Sequence, residues 1–136
     1  MRITSYQRIT IVRSTRPVRP GINEELQWLG SSLGLFNLRD KDKSCFRIFI
    51  ELVKTAKTGQ SLSSDELAEK LGLSRGTVVH HLNRLIDAGL VVADKKKYFL
   101  RVSNLEVLID ELERDTTRAL EDLKQVAQKI DQKLGL

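Results

Sequence analysis

A mainly helical fold, with one small β-hairpin and a long C-terminal helix, is predicted by three features of the 136-residue sequence. Two short amphipathic segments lie back to back between residues 63 and 88, separated only by Gly72-Leu73-Ser74. Two apolar runs between residues 90 and 102 flank the turn Asp94-Lys95-Lys96-Lys97. Residues 105–134 contain neither Gly nor Pro and carry apolar side chains at alternating steps of four and three. With 40% apolar but only 5% aromatic residues, the core is expected to be built from Ile, Leu and Val.

Along the chain, residues 1–22 form a basic arm or edge strand, in which Ile9 and Ile11 alternate with Thr10 and Val12 before Arg16-Pro17-Val18-Arg19-Pro20-Gly21 stops regular structure. Asn23 is read as the cap of a first helix, with Glu24 and Glu25 at the favourable end of its dipole and Leu26, Leu29 and Leu33 at helical spacing up to Gly34. Asp40 or Asp42 then caps a second helix, whose Cys45, Phe49, Leu52, Val53 and Ala56 share a face that Phe46 and Ile50 widen. Ser63 with Glu66 three residues later is a capping box, and Gly72 ends that third helix after about two turns. Ser74 caps a fourth helix, residues 75–88, with Val78, Leu82, Leu85 and Ile86 on its apolar face. Leu90 to Ala93 and Tyr98 to Val102 pair as a hairpin, and Asn104 caps the last helix. Residues 23–103 are thus expected to be one domain and residues 104–136 a separate helix.

Charge is segregated. Residues 1–20 hold five Arg and no acid, and residues 41–104 hold twelve bases against seven acids. Residues 105–136 hold eight acids against five bases. Basic arm and middle point to a polyanionic partner, nucleic acid first. No apolar run is long enough to cross a bilayer, so no membrane partner is expected, and a lone Cys45 fits a reducing cytoplasm. No Cys and His pair, Ser, His and Asp set, phosphate-binding loop or metal-ligand cluster appears, so neither enzyme activity nor a cofactor is expected. His80 and His81 are adjacent and diverge by about 100° on a helix, a poor arrangement for one metal ion.

Two short helices across a tight turn, followed by a basic hairpin, have the layout of a winged helix-turn-helix. Residues 47 to 102 resemble ArsR-type winged-helix transcription regulators and related prokaryotic or archaeal ones. The resemblance is carried by Asp65-Glu66-Leu67-Ala68-Glu69-Lys70-Leu71-Gly72-Leu73-Ser74, Thr77-Val78-Val79-His80-His81-Leu82 and Leu85-Ile86-Asp87-Ala88-Gly89-Leu90-Val91. It implies a homodimer that pairs through a terminal helix. It does not imply metal sensing, because residues 63–71 contain no Cys and residues 104–136 no His.

For such a fold, the expected contacts to double-stranded DNA are Ser74, Arg75, Gly76, Thr77, Val79, His80 and Arg84 from the recognition helix. Arg75 suits bidentate donation to guanine, Ser74, Thr77 and Arg84 suit phosphate, Gly76 permits close approach, and Val79 suits a thymine methyl. Lys95, Lys96 and Lys97 at the wing tip are placed for the adjacent phosphate backbone. The bland alternative gives Ser74 and Thr77 to helix capping and Arg75 and the lysines to solvated surface. His81, nearer the apolar face, is read as packing. On the last helix Leu105, Ile109, Leu112, Thr116, Ala119, Leu123, Val126 and Ile130 form a heptad seam, read as a self-pairing surface. The expected function is a homodimeric, sequence-specific transcription regulator in the cytoplasm, associated with the nucleoid. The alternative is a winged helix serving as a protein-interaction adaptor in a transcription or chromosome-organisation complex.

Overall fold

The computed structural model describes residues 6–19, 21–36 and 42–136. Within them the order of elements is α1 (Ile22–Ser32), α2 (Ser44–Ala56), α3 (Ser64–Leu71), α4 (Arg75–Asp87), β1 (Val91–Asp94), β2 (Lys97–Leu100) and α5 (Leu105–Leu134). Mainly helical, with a two-stranded antiparallel hairpin directly after a tight pair of helices, the fold is a winged helix-turn-helix carrying a long C-terminal helix.

Each boundary has a local cause. α3 opens on the expected capping box, the Ser63 side chain accepting from the Glu66 N–H while Glu66 reaches back to the Ser63 N–H. It closes at Gly72, whose φ of 66° is the left-handed conformation that turns the chain into α4 within three residues. Asn104 caps α5 by accepting from the Val107 N–H at 2.9 Å. Two expected caps are corrected. α1 starts one residue before Asn23, on Gly21, with no side-chain cap. α2 follows Lys43 in a left-handed conformation (φ 54°), again without a side-chain cap, so Asp42 does not serve; Asp40 lies outside the described residues.

Ile48, Phe49 and Leu52 of α2, Leu67 of α3, Val78, Leu82 and Leu85 of α4 and Leu108 of α5 are wholly buried in one cluster. At about 1.5–3 kcal/mol for each fully buried large side chain, this cluster dominates the stability of the domain. Ile48 extends the anticipated face of α2, and Leu108, outside the heptad seam, is what fastens α5 to the domain. The hairpin pairs Val91 with Leu100 and Asp94 with Lys97. Leu62 adds an antiparallel bridge to Tyr98 through reciprocal backbone bonds of 3.0 and 2.7 Å, tying the segment before α3 to β2 of the wing.

The arm forms no strand in its described part; it is strapped to the domain by backbone and side-chain bonds. The Arg8 N–H donates to the Asp87 carbonyl and the Val12 N–H to the Ser32 carbonyl, both at 2.8 Å. The Gln7 amide donates to the Ala88 carbonyl at 3.3 Å and to the Asp115 carboxylate at 2.9 Å. Arg101, just beyond β2, donates to Asp115 at 2.5 Å and to Glu111 at 3.2 Å. The Arg101 guanidinium, and secondarily the Gln7 amide, hold the Asp115 carboxyl below its ordinary range against a partial desolvation that opposes them. The arm, the base of the wing, the end of α4 and α5 therefore meet at one charged group.

Candidate nucleic-acid interface

The first turn of α4 is built by its cap. Ser74 accepts from the Thr77 N–H at 3.2 Å, and its hydroxyl donates to Thr77 Oγ1 at 2.8 Å. The Ser74 hydroxyl thus performs the capping role foreseen as the alternative, with the Thr77 hydroxyl accepting from it, at an exposed helix N-terminus whose dipole favours an anion. Arg75 projects outward, with its side chain 73% exposed. Gly76 faces open space: a Cβ placed there meets nothing within 4 Å. His80 is exposed, Val79 and Arg84 are half-buried, and His81 is buried at 6% exposure, so the two histidines part as their spacing requires.

The wing turn is tighter than the sequence indicates. Asp94 pairs with Lys97 as the closing residues of the hairpin, leaving Lys95 and Lys96 as a two-residue turn, with φ of 50° and 64°. Positive φ at both central positions is the type I′ pattern that matches strand twist and that Asn-Gly adopts most easily. Lysine carries a Cβ penalty there. Lys97 belongs to β2 and forms an ion pair with Glu66.

Two acids of α3 organise this surface. Asp65 Oδ1 lies 3.4 Å from Arg75 Nε, and the neighbouring Glu66 holds Lys97. Adjacent residues on one helical turn thus hold the start of α4 and the end of the wing next to its turn, bringing both out on the same side of the domain. The Lys97 ammonium and the Ser63 cap lower the Glu66 carboxyl below its usual range. Arg75 and Lys97 therefore come to this surface with counterions in place, whereas Lys95 and Lys96 form no ion pair among the described residues. Sequence reasoning passed over Asp65 and Glu66 as charge partners, because Lys97 lies 31 residues from Glu66 and no local pattern marks the contact.

The α5 seam divides in two. Leu112 is buried at 5% exposure and Leu105 half-buried against the chain's own domain, with Thr116 half-buried at the edge and Ile109 39% exposed. Every residue from 117 onward is exposed, including Ala119, Leu123, Val126 and Ile130 of the seam and Leu120 and Leu134 beside it. No helix among the described residues is long and apolar enough to cross a membrane, and no group of three or more His, Cys, Asp or Glu side chains among them is placed to hold a metal ion.

No curated protein and no solved structure matches the chain. Residues 42–92, which run from the start of α2 into β1, match the family model described as a helix-turn-helix domain.

Proposed function

We propose that the chain is a homodimeric, sequence-specific transcription regulator of double-stranded DNA, acting in the cytoplasm on the nucleoid. The α4 helix enters the major groove and the wing lies on flanking phosphates. The observation that carries this reading is the turn at Lys95 and Lys96. Two cations occupy backbone positions where Asn-Gly is the unstrained choice, and a local rule broken at an exposed, unpaired basic tip marks a functional demand. At the other end of the surface, Arg75 reads a guanine edge, Gly76 lets the backbone approach, Ser74 and Thr77 present a capped N-terminus to phosphate, and Val79, His80 and Arg84 flank them.

Mobility shifts on genomic fragments test it. Lys95→Ala with Lys96→Ala weakens binding to all sequences, and Arg75→Ala also relaxes discrimination at one base pair by about 1–3 kcal/mol. Equal, weak binding by the wild type and both variants refutes the reading. The exposed apolar face of α5 favours, as a second reading, a winged-helix adaptor docked through that helix onto another protein. A monomer that retains no DNA and copurifies with one stoichiometric partner selects the adaptor.

A further inference from the structure

We propose that a cleft between the N-terminal arm and the C-terminal end of α4 is a second phosphate-binding site, which takes a phosphodiester of the DNA strand opposite the one met by the N-terminus of α4. The site rests on the DNA reading above and adds to it residues 6–10, which lie outside the helix-turn-helix.

The length of α4 sets the requirement. Its thirteen residues, Arg75 to Asp87, span about 18 Å, whereas the major groove of B-DNA is about 12 Å wide. A helix lying across the groove with its first turn on one phosphate wall therefore brings its last turn to the other wall. That end carries the wrong sign for the encounter: free carbonyls at a helix C-terminus amount to about half a negative charge, and Asp87 adds a carboxylate.

The arm offsets both. The Arg84, Leu85 and Ile86 carbonyls accept from the turn that follows, through the N–H groups of Ala88, Leu90 and Gly89. The next two carbonyls are taken by the arm: the Arg8 N–H donates to Asp87 at 2.8 Å and the Gln7 amide to Ala88 at 3.3 Å. The same segment brings a cation. Tyr6, Arg8 and Thr10 of the arm and Arg84 and Asp87 of α4 line a cleft of about 240 Å³, with Leu85 among its apolar lining. The Arg8 guanidinium lies over the Tyr6 ring, 6.0 Å from its centroid, and Arg8, Arg84 and Asp87 form no ion pair among the described residues. Two guanidiniums against one carboxylate leave one net positive charge, and the planar fork of each Arg matches two phosphate oxygens. Asp115, which Gln7 also reaches, is paired with Arg101.

The duplex is the source of the phosphate because the cleft adjoins the face that α4 presents. Gly76, His80, Asn83 and Asp87 are exposed and fall within about 60° of one another around the helix. Asp87 ends that stripe and also walls the cleft, so a duplex lying on the stripe passes its mouth.

Salt titrations of mobility shifts on a bound genomic fragment test the site in the full chain, with wild type, Arg8→Ala and Arg13→Ala. Alanine at position 8 keeps the main-chain bond to Asp87, and Arg13 is exposed on the same arm without lining the cleft. Arg8→Ala makes the slope of log K against log salt shallower by about 0.9 for each half-site, or about 1.8 for the dimer on a full site, roughly sixtyfold at 0.1 M salt against a 1 M reference. Arg13→Ala keeps the wild-type slope. Phosphate ethylation on either strand of a half-site blocks the wild type, and Arg8→Ala becomes insensitive on the strand beyond the end of α4. An equal loss of slope in Arg13→Ala assigns the effect to diffuse charge on the arm and overturns the cleft. An unchanged slope in Arg8→Ala overturns the site, while the DNA reading stands on the loss in the Lys95 and Lys96 variant. If, with that slope unchanged, inorganic phosphate raises the thermal midpoint of wild type and not of Arg8→Ala, the cleft holds a free anion and the backbone assignment falls. A wild type that binds no fragment refutes the DNA reading and the site with it.

Discussion

Replacing Lys95 by Asn and Lys96 by Gly separates folding from binding at the wing. Each lysine occupies left-handed backbone, at a cost of about 1 kcal/mol or slightly more. Asn-Gly removes most of that, and the extra freedom of Gly in the unfolded chain returns part of the gain, leaving about 1 kcal/mol of added stability. For a domain of this size that corresponds to a rise of roughly 2–6 °C in the thermal midpoint. The same change removes two phosphate contacts per half-site. The slope of log K against log salt then becomes shallower by about 1.8 for each half-site, or about 3.6 for the dimer on a full site, and at 0.1 M salt the loss is roughly 4,000-fold relative to a 1 M reference where the ionic contribution vanishes. Calorimetric unfolding and a salt titration of mobility shifts measure the two quantities on one sample. A variant that melts higher and binds DNA with unchanged affinity and slope refutes the assignment of the wing to phosphate.

Three further outcomes are expected. Gly76→Ala adds about 0.5–1 kcal/mol of helix stability, because no atom opposes the new Cβ, yet weakens DNA binding where the groove wall must approach; thermal unfolding and mobility shifts together check it. Leu108→Ala lowers the free energy of unfolding by about 3–5 kcal/mol in denaturant titrations. Asp115→Asn loses the Arg101 pair. Because the folded carboxyl titrates below its ordinary value of about 3.9, its stabilisation is full above that value and disappears as pH falls through the folded value. Wild type and variant therefore differ by a constant amount from neutral pH to about 4 and converge below it.

Most of the fold was legible because it is written in local chemistry. The Ser63 and Glu66 box, Gly72, the Ser74 cap and the Asn104 cap each specify a boundary within four residues. The starts of α1 and α2 were not, because Gly21 and Lys43 begin helices without side-chain caps, so no capping residue marks those ends. For the same reason Leu108 escaped notice: heptad spacing describes a seam for a partner, and the residue that anchors α5 to its own domain lies just beside that seam. At the interface, the residue types on α4 were readable, whereas the α3 acids that hold Arg75 and Lys97 required the third dimension.

Between Arg8 and Val12 the arm spans from the last residue of α4 to the last residue of α1, held at both ends by main-chain bonds. Four residues of extended chain reach at most about 13 Å, which bounds the distance this strap can bridge. Its side chains at Ile11 and Val12 point largely into solvent, and its grip at those two points belongs to the backbone. The segment is thus defined by its length more than its spelling. Exchanging Ile11 leaves the fastening intact, whereas deleting or inserting one residue between positions 8 and 12 moves Gln7 away from Asp115 and uncouples the end of the recognition helix from the long helix.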